Sequence, residues 1–355
     1  MANSARTHLT LYLTSGYALL VIYASLYPLA DWRDSGGDAL AFLGAAWPRY
    51  YTGFDLATNI VAYLPFGFFC TTALRRRLAP YSAWLVAALL GGGLSLVMEL
   101  LQNYLPNRVP SNLDLACNAA GALLGGWIGA HWGTRALDDG RLARWRRQTL
   151  ANAYGADAGV LLIAAWLLTQ LSPETLLFGS GNLRRMLDLP PVQPFQPERF
   201  VSVETAIAAA GLLAAGLIIT LLLRRHARLL TATLLLTAVL IKILAHALLM
   251  GPAAAVAWIT PGNSLGLAMG LALWWSASFL VFPLQRAVAA LALLFATVMV
   301  NVAPENPYLL NALHIWNPGQ FLNFNGLTRL ICSLWPFLAL PWLMIYRPKR
   351  NELDY

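Results

Sequence analysis

The chain has 355 residues and a formal net charge of +8, yet only 11% of its residues are charged and 58% are hydrophobic, with a mean hydropathy of +0.58. A soluble globular domain carries about 25% charged residues, so the composition excludes one. Apolar runs recur along the whole chain, each long enough to cross a hydrocarbon core of about 30 Å, and they predict an all-α, polytopic transmembrane helical bundle.

In chain order the expected spans are 9–28, 56–74, 82–105, 113–132, 154–172, 203–223, 229–250, 264–283, 287–303 and 329–346, about ten crossings. The first follows "MANSARTHLTLYL", where no A-x-A cleavage pattern stands, so it reads as a retained helix. Basic residues then follow every even-numbered span. They are Arg75, Arg76 and Arg77; Arg135, Arg141, Arg144, Arg146 and Arg147; Arg224, Arg225 and Arg228; Arg286; and Arg347, Lys349 and Arg350. The first connecting loop carries Asp31, Asp34, Asp38 and Asp55 against Arg33 and Arg49. By the positive-inside rule both termini face the cytoplasm, and the cations report topology rather than a nucleic-acid partner. Cys70, Cys117 and Cys332 are scattered inside or beside spans, which predicts free buried thiols and neither disulfides nor a metal site.

The chain divides into a four-helix membrane domain (1–133), a basic cytoplasmic linker (134–150) and a six-helix membrane domain of unknown type (151–355). The linker "TRALDDGRLARWRRQTL" is expected to lie on an anionic leaflet. A Pro-rich external loop, 173–200, is expected to be extended and irregular. Another external stretch, 301–326, interleaves Asn301, Asn306, Asn311, Asn317, Asn323 and Asn325 with Tyr308, Trp316, Phe321 and Phe324. There His314 and Trp316 have the chemistry to stack on a sugar or headgroup, though an aromatic belt at the interface is the plainer reading.

The polar chemistry concentrates in the first domain. "DLATN" at 55–59 and "DLACN" at 114–118 head the second and fourth spans. Asp55 and Asp114 are placed to cap helix N-termini, but Asn59 and Asn118 lie one turn deeper and need partners. The third span supplies Ser95, Glu99 and Gln102 at i, i+4 and i+7, one stripe of a helix. Glu99 is an ionisable residue within a span, by default a site hypothesis. Arg108, in a loop stiffened by Pro106 and Pro110, is placed to reach Glu99 or Asp114. The candidate ligand-binding set is therefore Asp55, Asn59, Ser95, Glu99, Gln102, Arg108, Asp114 and Asn118, with Glu99 and Asp114 as candidate acid/base groups; the alternative is a polar knot that only locks the helices. Gly121, Gly125 and Gly129 recur every fourth residue, a small-x3-small ridge for close helix approach. Pro65 is expected to kink the second helix.

These residues resemble the VanZ-like family, named for a protein linked to teicoplanin resistance. The resemblance rests on "DLATNIVAYLPFGFF" and "SLVMELLQNYLPNRVPSNLDLACNAAGALLGG" and covers roughly residues 50–133. Its pattern falls on Asp55, Asn59, Pro65 and Gly67; on Ser95, Glu99, Gln102 and Arg108; and on Asp114, Asn118 and Gly121. It implies a multi-pass protein of the bacterial cytoplasmic (inner) membrane, tied to the cell envelope and to antibiotic resistance.

Three functions stay open on the sequence. The first is an envelope factor whose external-leaflet polar pocket binds a lipid headgroup or cell-wall precursor and affects glycopeptide susceptibility. The second is an intramembrane enzyme using Glu99 or Asp114 as acid/base on a lipid-linked or acyl substrate, with Arg108 holding its phosphate. The third is a secondary transporter, for which Lys242 and His246, at i and i+4 in the seventh span, would form a proton or anion path. The expected partner is a membrane lipid or lipid-linked precursor, not nucleic acid. With no HExxH, CxxC or nucleotide motif, no cofactor and no metal are predicted.

Overall fold

The computed structural model describes residues 8–34, 36–48, 51–106, 108–151, 153–187, 189–224, 226–304 and 322–348. Each of the ten expected spans is met by a helix, and eight helices are long and apolar enough to cross a membrane. The other two, at the fifth and eighth spans, have 14 and 17 residues, only about 21 and 26 Å at the helical rise of about 1.5 Å per residue. Arg49, Arg225, Lys349 and Arg350, and the interleaved stretch with Asn306, Tyr308, Asn311, His314, Trp316, Asn317 and Phe321, lie outside the described residues, as do the side chains of Asn323, Phe324 and Asn325.

The chain folds as two compact units, Met1–Arg146 and Arg147–Tyr355. In the first, α1 (Leu9–Leu26) leads through the short α2 (Ala41–Gly44) to α3 (Gly53–Leu74), α4 (Pro80–Gln102) and α5 (Asn112–Ile128). Two π-helical turns, Gly129–Gly133 and Arg135–Asp139, continue α5 toward α6 (Arg141–Thr149). The tract 134–150 is thus largely helical.

The core of this unit is thin. Val21, Tyr63 and Ala122 meet in one cluster, Leu26, Met98 and Leu105 in a second, and Phe66, Cys70 and Ala87 in a third. What dominates is the approach of α3 and α5. A Cβ at Gly121, Gly125 or Gly129 would stand 2.2, 1.9 or 2.6 Å from the carbonyl oxygens of Ile60, Leu64 and Phe68. The glycine ridge therefore lies backbone to backbone against one stripe of α3, the close packing that small residues permit in lipid. α3 continues through Pro65, and the Tyr17 hydroxyl of α1 donates to Ala62 O at 2.9 Å beside it.

In the second unit, α7 (Ala156–Thr169) is followed by a non-helical segment, 170–182, and the one-turn α8 (Leu183–Met186). Then come α9 (Pro197–Leu222), α10 (Ala227–Leu249), α11 (Pro261–Ala277), α12 (Phe282–Val302) and α13 (Leu322–Ile345). α9 is the axis of this unit. Of its apolar window 89% is buried, against 22–44% for the other membrane-length helices. A helix apolar all round is one enclosed by others. Elsewhere the apolar residues face outward, as Leu89, Leu240, Leu248 and Leu291 do, which suits a lipid solvent. The residue pairs Ala153–Pro348 and Tyr154–Arg347 form a minimal antiparallel bridge. Cys70, Cys117 and Cys332 are free and buried.

Residues 173–182, the start of the loop 173–200 expected to be extended, pack together with 170–172 from the end of the fifth expected span. Gln170, Ser172, Leu177, Phe178 and Ser180 are buried. Irregular backbone can lie inside an apolar protein only where its polar groups find partners. Here α10, α12 and α13 supply them. Lys242 Nζ donates to Ser172 O at 2.6 Å and to Thr175 O at 2.8 Å. Asn301 Nδ2 donates to Gly181 O at 2.7 Å, Cys332 Sγ to Gly179 O at 3.2 Å, and Ser333 Oγ to Asn182 O at 3.3 Å.

Candidate functional site

The two Asp-Leu-Ala-x-Asn boxes are each preceded by a hydroxyl residue, in "TGFD" and "SNLD", the pattern of a helix-capping box. They are used differently. At α3 the box closes on itself: Asp55 N donates to Thr52 Oγ1 at 3.1 Å, and Thr52 N donates to Asp55 Oδ2 at 2.9 Å. Asp55 is exposed, and its contacts are those of a cap. At α5 only half of the box forms. Asp114 N donates to Ser111 Oγ at 3.2 Å, but Ser111 N donates across to Glu99 Oε2 of α4 at 2.8 Å. The Asp114 carboxylate is thereby released from local capping and accepts from Asn59 Nδ2 of α3 at 2.9 Å.

The Ser95–Glu99–Gln102 stripe of α4 faces the helices of its own unit. Ser95 is fully buried and Glu99 is 3% exposed. Asn118 Nδ2 donates to Ser95 Oγ at 2.9 Å. Gln102 Nε2 turns the other way, donating to Ser25 O of α1 at 3.0 Å. Arg108 Nη2 also points to α1, donating to Ala24 O at 3.4 Å. Among the described residues no ion pair joins Arg108 to Glu99 or Asp114; Arg108 lies near enough for its charge to act on Glu99, while its guanidinium bonds a carbonyl of α1. Asn112 Nδ2 reaches Ala45 O at 2.6 Å and ties the α2 segment to the start of α5.

Among α3, α4 and α5, Asn59 is thus bonded to Asp114, Asn118 to Ser95, and Glu99 to the Ser111 N–H at the start of α5, whereas Asp55, Gln102 and Arg108 bond elsewhere. The sequence reading passed over Ser111 and Tyr63. Ser111 carried a legible signal, the S-x-x-D spacing. Tyr63, buried on α3 and next to Ser95 and Glu99, carried none, since one tyrosine in an apolar run is indistinguishable from packing. The cluster is rich in acceptors: two carboxylates, Ser95 Oγ and Asn118 Oδ1. Asn118 Oδ1 is buried and has no hydrogen-bond partner among the described residues, a state it shares with the nearby Tyr63 hydroxyl and with Asn263 Oδ1 of the second unit. Such a cluster suits a ligand that donates hydrogen bonds, through hydroxyl or amine groups.

Among the buried ionisable groups of the second unit are Lys242, His246 and Glu204. Lys242, 1% exposed, meets Ser172 O, Thr175 O and Thr175 Oγ1, the last at 3.4 Å. Its three donors thus serve the irregular segment. His246 Nδ1 lies 3.1 Å from Lys242 O, a local contact one turn back. The pair stays adjacent without a side-chain bond between its members. Glu204, absent from the sequence-based candidates, accepts from Thr260 Oγ1 at 2.5 Å and from Asn263 Nδ2 at 2.9 Å at the start of α11.

Residues 9–132, about a third of the 355-residue chain, match the family model described as VanZ/LLP1. The match takes in α1, which the motif-based resemblance left out. No curated protein and no solved structure matches the chain.

Proposed function

We propose, for a helical membrane protein whose residues 9–132 form a VanZ/LLP1-type domain, that this domain holds the donor-bearing headgroup of a membrane lipid or lipid-linked cell-wall precursor. The site is the cluster of Asn59, Ser95, Glu99, Asp114 and Asn118. The observation that carries the reading is Asn118 Oδ1, a buried acceptor without a partner among the described residues, on the helix that also carries Asp114. A knot built only to lock helices gains nothing from an orphan acceptor, because each such atom costs about 1–3 kcal/mol. Hydroxyl or amine donors of a headgroup would satisfy it.

Residence in the bacterial cytoplasmic membrane with both termini in the cytoplasm, and an effect on glycopeptide susceptibility, belong to the same reading. The test is a census of lipids that co-purify with the protein in mild detergent, for wild type and Glu99→Gln. Gln keeps an acceptor for Ser111 N–H, so the variant is expected to fold, with a thermal midpoint near that of wild type. Selective loss of one lipid class from the folded variant supports the reading. The same lipids in both proteins refute it. Chemical conversion of the retained lipid by wild type, absent in Glu99→Gln, would instead mark Glu99 as an acid/base group.

A further inference from the structure

The second unit buries a carboxylate whose hydrogen bonds come only from neutral groups. Glu204 stands on α9 and is 4% exposed. Its Oε2 accepts from Thr260 Oγ1 at 2.5 Å and its Oε1 from Asn263 Nδ2 at 2.9 Å. Among the described residues no ion pair involves it. Residues 251–277, which bring both donors, contain no ionisable side chain at all. On α9 itself the nearest charged residues in the chain, Glu198 and Arg199, are exposed. Asp157, Arg228 and Arg286, on helices packed against α9, belong to its other end, around Thr220–Leu222. Lys242 and His246 of α10 are engaged as described above.

Beside this carboxylate lies a second unmet group. Asn263 is 4% exposed, and its Nδ2 donates both to Glu204 Oε1 and to Trp258 O, the latter at 2.8 Å. That leaves Oδ1 buried with no hydrogen-bond partner among the described residues. The oxygen and nitrogen of one amide are about 2.2 Å apart, so Oδ1 lies within about 5 Å of the carboxylate. Gly262 makes the approach possible, since a Cβ there would stand 2.5 Å from Glu204 Oε2 and 2.9 Å from Val201 O. Thr260 Oγ1 caps Asn263 N at 3.1 Å, so Glu204 also meets the positive end of α11, equivalent to about half a charge. That end offsets part of the anion's cost and does nothing for Oδ1. A buried carboxylate and an unpaired amide oxygen are satisfied together by one positive charge placed between them. Ile259, Pro261 and Ser264 are exposed around the half-buried Thr260, so the route from the surface is short.

We propose that Glu204, Thr260 and Asn263 form a binding site for a single positive charge, taken up as a proton or as a sodium ion. A proton on Glu204 neutralises the carboxylate and supplies the donor that Asn263 Oδ1 lacks. Sodium, a hard cation, does both through oxygen ligands, here the carboxylate, the amide and main-chain oxygens such as Trp258 O. The site is separate from the polar cluster of the first unit. An ionisable group within a membrane-spanning helix commonly marks an ion or proton path.

The full chain in maltoside detergent would be tested in two arms, wild type beside Glu204→Gln, which keeps the shape and an acceptor without the charge. The first arm titrates radioactive sodium in choline buffer at constant ionic strength. The second records the infrared C=O band of protonated carboxyl groups in sodium-free buffer at neutral pH, as the difference between the two proteins. Saturable sodium binding, weakened about tenfold or more in Glu204→Gln, assigns the charge to sodium. A protonated-carboxyl band that Glu204→Gln removes assigns it to a proton, and both results together assign exchange of the two at one site. Sodium binding equal in the two proteins counts as none. With no such binding and no band in the difference, Glu204 is a bare carboxylate held by its cap, and the proposal is overturned. Should Glu204→Gln fail to elute as a folded species, Glu204→Asp decides. It keeps the charge and shortens the reach, so sodium affinity must fall or the band must shift, and no change in either refutes the site.

Discussion

Changing Gly121 to Ala tests whether backbone contact between α3 and α5 sets the geometry of the polar cluster. The new Cβ would stand 2.2 Å from Ile60 O, 2.9 Å from Ile60 C and 3.0 Å from Ile60 Cα. All three atoms are backbone, so no rotamer change relieves the overlap. One helix must retreat by about 1 Å to regain ordinary contact. Ile60 follows Asn59, whose amide reaches Asp114 at 2.9 Å. The same retreat stretches that bond to about 4 Å, outside hydrogen-bonding range. Overpacking costs about 1–3 kcal/mol and the charged hydrogen bond about 1.5–3 kcal/mol. The two losses share one displacement, so about 2–4 kcal/mol is expected in all.

The assay is thermal unfolding of purified protein in detergent, followed by tryptophan fluorescence, with the lipid census run on the same samples. Gly93→Ala is the control: no atom lies within 4 Å of its added Cβ, so its effect should stay within about 1 kcal/mol. The expected result is a midpoint several degrees lower for Gly121→Ala, with loss of the bound lipid, and neither change for Gly93→Ala. A Gly121→Ala protein as stable as wild type would refute the claim that this contact positions Asn59 against Asp114.

Further predictions follow from the roles of single side chains. Asp55→Ala removes one half of a closed capping box and should cost about 0.5–2 kcal/mol of stability while lipid retention is preserved; loss of lipid at unchanged stability would move Asp55 into the site. Lys242→Met leaves Ser172 O and Thr175 O without their donor, about 1–3 kcal/mol each, and should expose segment 170–182 to limited proteolysis. A Lys242→Met protein with a wild-type cleavage pattern would show that the segment is held by other means. Glu99→Leu, unlike Glu99→Gln, strips the Ser111 N–H of its acceptor and should lower the thermal midpoint; equal midpoints for the two variants would remove Glu99 from that hydrogen bond.

Much of the membrane architecture is legible in the sequence because its signals are local. Runs of apolar residues mark the helices at all ten expected positions. The four-residue recurrence of Gly121, Gly125 and Gly129 marks a close-packing face, since only residues without bulk let backbones meet. The T-x-x-D and S-x-x-D spacings mark two helix starts, because a cap is made within one turn. The Ser95–Glu99–Gln102 stripe of α4 is likewise visible as a polar face on an apolar helix.

Only the tertiary structure decided what those groups bond to. Two near-identical boxes diverge because Glu99, twelve residues before Ser111 and on another helix, takes the main-chain N–H that Asp114 would otherwise hold. Arg108 bonds a carbonyl of α1 and meets Glu99 through its charge without an ion pair, since the fold brings Ala24 O within its reach. Residues 173–182 read as part of the external loop 173–200, yet 170–182 is buried because Lys242, Asn301 and Cys332 come from helices up to 153 residues away to satisfy it. Arg185 and Arg329 are likewise separated in the chain and meet at Glu174 only in the fold. Hydropathy and capping act over a few residues and are written in the order of the chain, whereas the partners of buried polar groups are set by distances that exist only once the helices have packed.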